Sequence, residues 1–318
     1  MVWVDDLIIA ASNLDLMSDI KASLSNKFSV KDLGKLHYFL GIKFQVNDDN
    51  ITMSQARYVS KMLDKFDMSE CKPKAMPCEL DVCNLLKQNS EPLDNPKLFR
   101  AIVGSLIYVM TCTRPDLCYA VNMLSQHMAN PKVIHLNLAK HVLRYLKGTI
   151  NYGLTFTKVK DLSIVGFCDS DWGSSPDRRS ISGYCYTLNT KGPLISWSSS
   201  KQRVVALSSS EAEYVAMTDA MKEANFLRQL LADMTNSERQ VVRLYADNQS
   251  AIKLSENPCH HKRSKHIDIR YHFIRSEIAD NIVNVEYIPT NDNVADMFTK
   301  PLSKTKLLNF RMIYGVKV

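Results

Sequence analysis

The chain opens on WVDDLIIA, an apolar run interrupted by two aspartates, which predicts a hairpin with Asp5 and Asp6 at its turn. Helical spacing follows over residues 14–28, then two strand-like runs over 36–46 and 50–54, then helical spacing again over 55–66. Between 71 and 96 the rhythm is lost, because Pro73, Pro77, Pro92 and Pro96 break that stretch into a long irregular connection. From 99 to 147 the periodicity is helical, punctuated by Pro115 and Pro131 where helices can begin, and Gly148 supplies a stop. Residues 149–161 are short and polar, which sets the end of a first unit at 148.

Beyond that point the period changes. Residues 162–168, 182–188 and 194–198 read as three successive strands, and 210–234 as a long helix. A strand at 241–246, a short helix at 249–255, a helix over 264–280, a strand at 283–288 and a last helix from about 293 complete the pattern. Strands first, then alternating helix and strand, predict an α/β (α+β) domain with a mixed sheet flanked by helices. This second domain spans 149–305, and 306–318 reads as a tail.

Four carboxylates fall where such a sheet gathers a site. Asp169 and Asp247 directly follow predicted strands, Glu213 lies in the first turns of the long helix, and Asp296 opens the last one. Acids at the carboxyl ends of strands, with no base or nucleophile beside them, suit a hard cation such as magnesium or manganese. Two such ions can activate a water and stabilise the leaving oxygen of a phosphodiester. Each acid also has a plain structural use. Ser210-x-x-Glu213 matches a capping box, Asp247 in YADNQSAI can cap the next helix, and Asp296 suits a helix N-terminus.

Bulk properties narrow the field only a little. The length of 318 residues allows two or three domains, and 45% hydrophobic residues can build sizeable cores. Lysine and arginine exceed aspartate and glutamate by 40 to 33, a surplus that permits a nucleic-acid partner. No apolar run is long enough for a membrane span, and the acidic start MVWVDDLIIA does not read as a signal peptide. The eight cysteines include no CxxC pair, which favours reduced thiols in an intracellular protein. Residues 259–275, CHHKRSKHIDIRYHFIR, concentrate basic charge, and Lys262, Arg263, Lys265, His266 and Arg270 are candidate phosphate contacts. A solvated helix face is the competing account of that run, and a zinc site from Cys259, His260, His261 and His266 lacks a known ligand spacing. On the same helix Tyr271, Phe273 and Ile274 are expected to face the core.

The strings GFCDSDWG, RRSISGYCYTL, ISWSSSKQRVVALSSSEAEYVAM, LYADNQSAI, KHIDIRYHFIR and VEYIPTNDNVADMFTKPL resemble the ribonuclease H domain of copia-type retrotransposon Pol polyproteins. The resemblance implies a ribonuclease H-like mixed five-stranded sheet and maps the metal-binding catalytic carboxylates onto Asp169, Glu213, Asp247 and Asp296. Glu211 competes with Glu213, since SEAEY offers two acids. The loop PTNDNVAD carries no histidine, where many ribonucleases H have one. Upstream, WVDDLIIA, VKDLGKLHYFLGIKF, MSQARYVSKMLDKF, GSLIYVMTCTRPDLCYAV and AKHVLRYLKGTINYGL resemble the end of the reverse transcriptase and its thumb and connection, with Trp3 where the family has tyrosine. By that likeness Asp5 and Asp6 are polymerase metal ligands. A further catalytic aspartate, expected upstream of them, is absent from the sequence, so the palm is read as truncated and polymerisation by this chain alone as failing. The implied cofactors are two Mg2+ or Mn2+ ions, and the implied partners are an RNA–DNA hybrid and other Gag or Pol products of the element. The expected setting is intracellular, in cytoplasmic virus-like particles or the nucleus. A non-catalytic nucleic-acid-binding remnant, and a polymerase completed by a partner chain, are the competing functions.

Overall fold

The computed structural model describes residues 2–159, 162–190, 192–256 and 265–317. The second half builds the expected mixed sheet. Strands β7 (Val165–Asp171), β8 (Ile181–Thr187) and β9 (Leu194–Lys201) form an antiparallel meander. After helix α7 (Ser209–Thr235), β10 (Val242–Ala246) returns parallel to β7. Helices α8 (Gln249–Glu256) and α9 (Lys265–Ala279) then lead to β11 (Val283–Tyr287), parallel to β10. The strand order β11-β10-β7-β8-β9 puts β7 in the centre. This is the α/β, ribonuclease H-like arrangement, with helices on both faces.

The alternation along β7 assigns those faces. Val165 and Phe167 join a core with Cys185, Phe298 and Phe310, whereas Cys168 joins a second core with Met217, Met221 and Leu244. Ile274 of α9 is buried in that second core, as its spacing predicts, and Phe273 packs against it. Asp169 continues the Phe167 side, under the short helix α10 (Asp296–Thr299). Gly183, paired with Asp169 across β7 and β8, permits this close approach. A Cβ there would lie 2.7 Å from Thr299 Cγ2 and 2.8 Å from Phe298 Cβ.

The first half has a helical core. Helices α4 (Pro96–Cys112), α5 (Cys118–Ser125) and α6 (Val133–Gly148) bury Phe99, Val103, Leu106, Val121, Leu124, Leu143 and Leu146 together. The irregular connection expected over 71–96 contains one short helix, α3 (Val82–Lys87). Two expectations shift. The segment 149–161, read as a polar boundary, holds β6 (Gly153–Thr157), which pairs antiparallel with β5 (Asn50–Ser54). The last helix, expected from about 293, breaks after α10 at Pro301 and restarts as α11 (Lys304–Ile313), capped by Ser303. Strand β12 (Val316–Lys317) then pairs with β6, so residues within 306–318 complete a second five-stranded sheet, β12-β6-β5-β4-β3, where β3 is Tyr38–Phe39 and β4 is Ile42–Val46.

The N-terminal hairpin forms as β1 (Val2–Trp3) and β2 (Asp6–Leu7). Its turn is Val4–Asp5, with Val4 at a φ of 50°, so Asp6 is a strand residue opposite Trp3 rather than part of the turn. The hairpin is exposed, and helix α1 (Leu14–Ser25) behind it buries no residue. Among the described residues, no helix is long and apolar enough to cross a membrane.

A buried polar network joins the helical core to the C-terminal helix. Arg114, 1% exposed, grips both oxygens of Asp116 at 2.9 and 2.8 Å and donates to the Thr149 carbonyl at 2.9 Å. The Tyr145 hydroxyl donates to Asp116 at 2.6 Å and accepts from Arg311 of α11 at 2.7 Å. Burial alone would raise the Asp116 carboxyl, but Arg114, Tyr145 and Arg311 hold it below the ordinary carboxylate range. Removing one partner of such a pair leaves an uncompensated buried charge. Arg114→Ala should therefore cost about 3–5 kcal/mol in urea unfolding of the full chain. A loss below about 1 kcal/mol would show the pair to be dispensable.

Candidate metal centre

Asp169, Glu213 and Asp247 converge at the carboxyl end of the central strands. One carboxylate oxygen from each lies within 4.8 Å of the other two. Asp169 and Glu213 are 2% and 6% exposed, whereas Asp247, just past β10, is half-buried at the mouth. Glu213 Oε1 accepts from the Ser170 backbone N–H at 3.2 Å, and its Oε2 is buried with no hydrogen-bond partner among the described residues. Asp169 Oδ2 accepts from the Thr299 hydroxyl.

The two acids of SEAEY separate cleanly. The helix cap is Ser208, whose side chain accepts from the Glu211 N–H at 3.2 Å, while Glu211 Oε2 accepts from Leu207 N–H at 2.8 Å. The capping pair is therefore Ser208 and Glu211, not Ser210 and Glu213. Two residues further on, Glu213 meets Asp169 at the sheet. Asp247 is no cap either: Asn248 Oδ1, not Asp247, accepts from the Ala251 N–H at 3.0 Å.

Asp296 is not one of the three whose oxygens lie within 4.8 Å of one another, but it shares the Lys300 ammonium with Asp169. It is 1% exposed, and two ammonium groups hold it: Lys300 Nζ at 2.6 Å from Oδ1 and Lys306 Nζ at 2.6 Å from Oδ2. Asp5 and Asp6 lie exposed on the hairpin, and no third ligand joins them among the described residues. Lys262 and Arg263 lie outside the described residues, as do Cys259, His260 and His261 of the alternative zinc set. Lys265 and His266 open α9, and Arg270 is half-buried along it.

Residues 1–80 match the family model described as reverse transcriptase (RNA-dependent DNA polymerase). The Retrovirus-related Pol polyprotein from transposon RE1 of Arabidopsis thaliana is 39% identical over 317 residues, 99% of this chain and 21% of that protein. The putative transposon Ty5-1 protein of Saccharomyces cerevisiae is 33% identical, matching 70% of this chain and 72% of its own length. This chain belongs to the copia-type retrotransposon Pol family. It spans about a fifth of the RE1 polyprotein. Among solved structures, LC11-RNase H1 in complex with RNA/DNA hybrid aligns at 16% identity and a TM-score of 0.34, over 43% of this chain and 94% of that one.

In this copia-type chain, three residues that the sequence reading passed over shape the centre. Asn293 is fully buried, donates to the Cys168 carbonyl at 3.0 Å and accepts from Ala295 N–H at 3.1 Å, tying the loop before Asp296 to β7. Thr299 and Lys300 reach Asp169 from α10 and the residue after it. All three sit within four positions of Asp296 in NDNVADMFTK, and that proximity was the available signal.

The electrostatics suit a cation. Burial pushes the Asp169 carboxyl up to about 7; Lys300 opposes the rise, and Asp296 and Asp247 add to it. Burial, then the charges of Asp169 and Asp247, push Glu213 well above its ordinary range. An all-oxygen donor set, negative, buried and holding an unpartnered oxygen, fits a hard divalent ion. A carboxyl raised in the folded state contributes stability that is full below 3.8 and is lost as pH rises through about 7. A bound divalent ion reverses that loss by holding the ionised form. Magnesium should therefore raise the melting temperature more at about pH 8 than at about pH 5. Equal shifts at both would separate ion binding from these carboxylates.

Proposed function

We propose that this chain acts as a metal-dependent endonuclease that cuts the RNA strand of RNA–DNA hybrids. The supporting observation is the meeting of Asp169, Glu213 and Asp247 within 4.8 Å around the unpartnered Glu213 oxygen. Asp169, Glu213 and Asp247 would hold a Mg2+ or Mn2+ ion, and Asp296 would complete the place for a second. Such ions supply an activated water and stabilise the leaving oxygen of a phosphodiester.

The protein's own part is positioning. The Ser170 N–H and the Thr299 hydroxyl orient Glu213 and Asp169, and Asn293 holds the loop that delivers Asp296. Lys262, Arg263, Lys265, His266 and Arg270 are proposed to neutralise phosphates, which gives affinity without sequence preference. Hybrid recognition would rest on backbone shape and the 2′-hydroxyl. In the reverse-transcriptase-like part, Asp5 and Asp6 would serve as polymerase metal ligands only if another chain or segment brings a third acid to them. Other Gag or Pol products are proposed partners, in an intracellular setting such as a cytoplasmic particle or the nucleus.

The test is cleavage of an end-labelled hybrid by the full chain, with and without magnesium, beside Asp169→Asn. Metal-dependent cutting should fall at least about a hundredfold in the variant, equivalent to about 2.7 kcal/mol of barrier. Hybrid binding without cleavage by the folded protein, unchanged in Asp169→Asn, would make the chain a nucleic-acid-binding remnant instead.

A further inference from the structure

Two lysine ammonium groups converge on Asp296. Lys300 Nζ lies 2.6 Å from Asp296 and 3.8 Å from Asp169, so its ammonium stands between the two carboxylates. Lys306 is tied in place more broadly. Its Nζ also donates to the Thr290 carbonyl at 3.1 Å and lies 5.4 Å from the Phe310 ring centre. Lys300, by contrast, is a long side chain with 34% of its surface open, able to swing outward. Among the described residues no such ammonium shields the unpartnered oxygen of Glu213, which is 6% exposed.

We propose that Lys300 is a built-in competitor for the second cation, keeping Asp296 and Asp169 closed to it until the ammonium is displaced. The proposal rests on the reading of Asp169, Glu213 and Asp247 as a cation site. A magnesium ion binds carboxylate oxygen at about 2.0–2.1 Å, so it and the lysine ammonium cannot share the space between these two acids. The two cation positions are therefore unequal. The first fills without rearrangement, and the second fills only as Lys300 leaves. A phosphate of a bound nucleic acid offers the displaced ammonium an anionic partner outside the cluster, so substrate and second ion favour each other. Lys300 is in this sense a positioning residue: it holds Asp296 in place against buried repulsion and yields it on demand.

Calorimetric titration of the full chain with magnesium and with manganese, without nucleic acid, reads the two positions directly. The natural protein should show one stronger event and a second weaker by at least about tenfold. Lys300→Met should strengthen the second by at least about tenfold and leave the first within about twofold. Lys300→Gln carries the same expectation if the methionine variant does not fold. Lys300→Arg, which keeps the charge, should retain the weak second event, and Asp296→Asn should abolish the second event alone. A second event indifferent to the loss of the Lys300 charge, in variants with natural circular dichroism, overturns the competitor role while leaving the first site intact. Absence of any ion binding in the natural protein overturns the reading of the three carboxylates as a cation site, and the competitor with it.

Discussion

Two carboxylates, Asp169 and Glu213, are buried together at the end of a central strand, and their mutual repulsion governs what may surround them. At a separation near 5 Å and an effective dielectric of about 20, like charges repel by roughly 3–4 kcal/mol. Burial adds a desolvation cost for each ionised group. The surrounding elements answer this cost with donors: a backbone N–H from Ser170, the Thr299 hydroxyl and the Lys300 ammonium. The answer is incomplete, since one oxygen of Glu213 has no partner. A fold that keeps such a cluster gives up stability unless a cation makes good the deficit, and that imbalance is the strongest physical sign of a metal centre.

The geometry of the cluster depends on elements far apart in sequence. Gly183 lets α10 approach β8 closely enough for Asp296, Thr299 and Lys300 to reach the end of β7. Helix α11 then anchors Lys306 at Asp296 on one side and sends Arg311 to Tyr145 on the other. Trp197 donates to the Met110 carbonyl and Asn122 to Ser199, so the first half also braces the outer strand β9. The buried Arg114–Asp116 pair lies on this path. Its hydrogen bonds fix the start of the segment that carries α5 against the sheet. The reverse-transcriptase-like half is thus packed against the ribonuclease H-like half through specific polar contacts, while its exposed hairpin and α1 leave Val2, Trp3, Val4 and Leu14 facing solvent.

Much was legible in the sequence by itself. Alternation at 162–168 and 182–188 marked β7 and β8, and the period of 210–234 marked α7, because core-facing residues must recur at the period of the element that buries them. The order of strands and helices set the α/β class, and family motifs singled out Asp169, Glu213, Asp247 and Asp296 together. Local sequence could not apportion their environments. Ser210-x-x-Glu213 and Ser208-x-x-Glu211 are equally good capping strings, and only the observed start of α7 assigned the cap to Ser208 and freed Glu213. Nor could it show that 153–157 and 316–317 pair, since strands far apart along the chain are joined by backbone bonds that carry no local signature. The environment of Asp296 was decided only in part by tertiary structure: Lys300 pairs with it locally, four residues on, whereas Lys306 reaches it from α11, beyond the break at Pro301. Periodicity and residue chemistry are local properties, and the sequence determined what they determine. Which charges meet, and which of them are paid in hydrogen bonds, depends on distances between elements, and only the folded chain decides those.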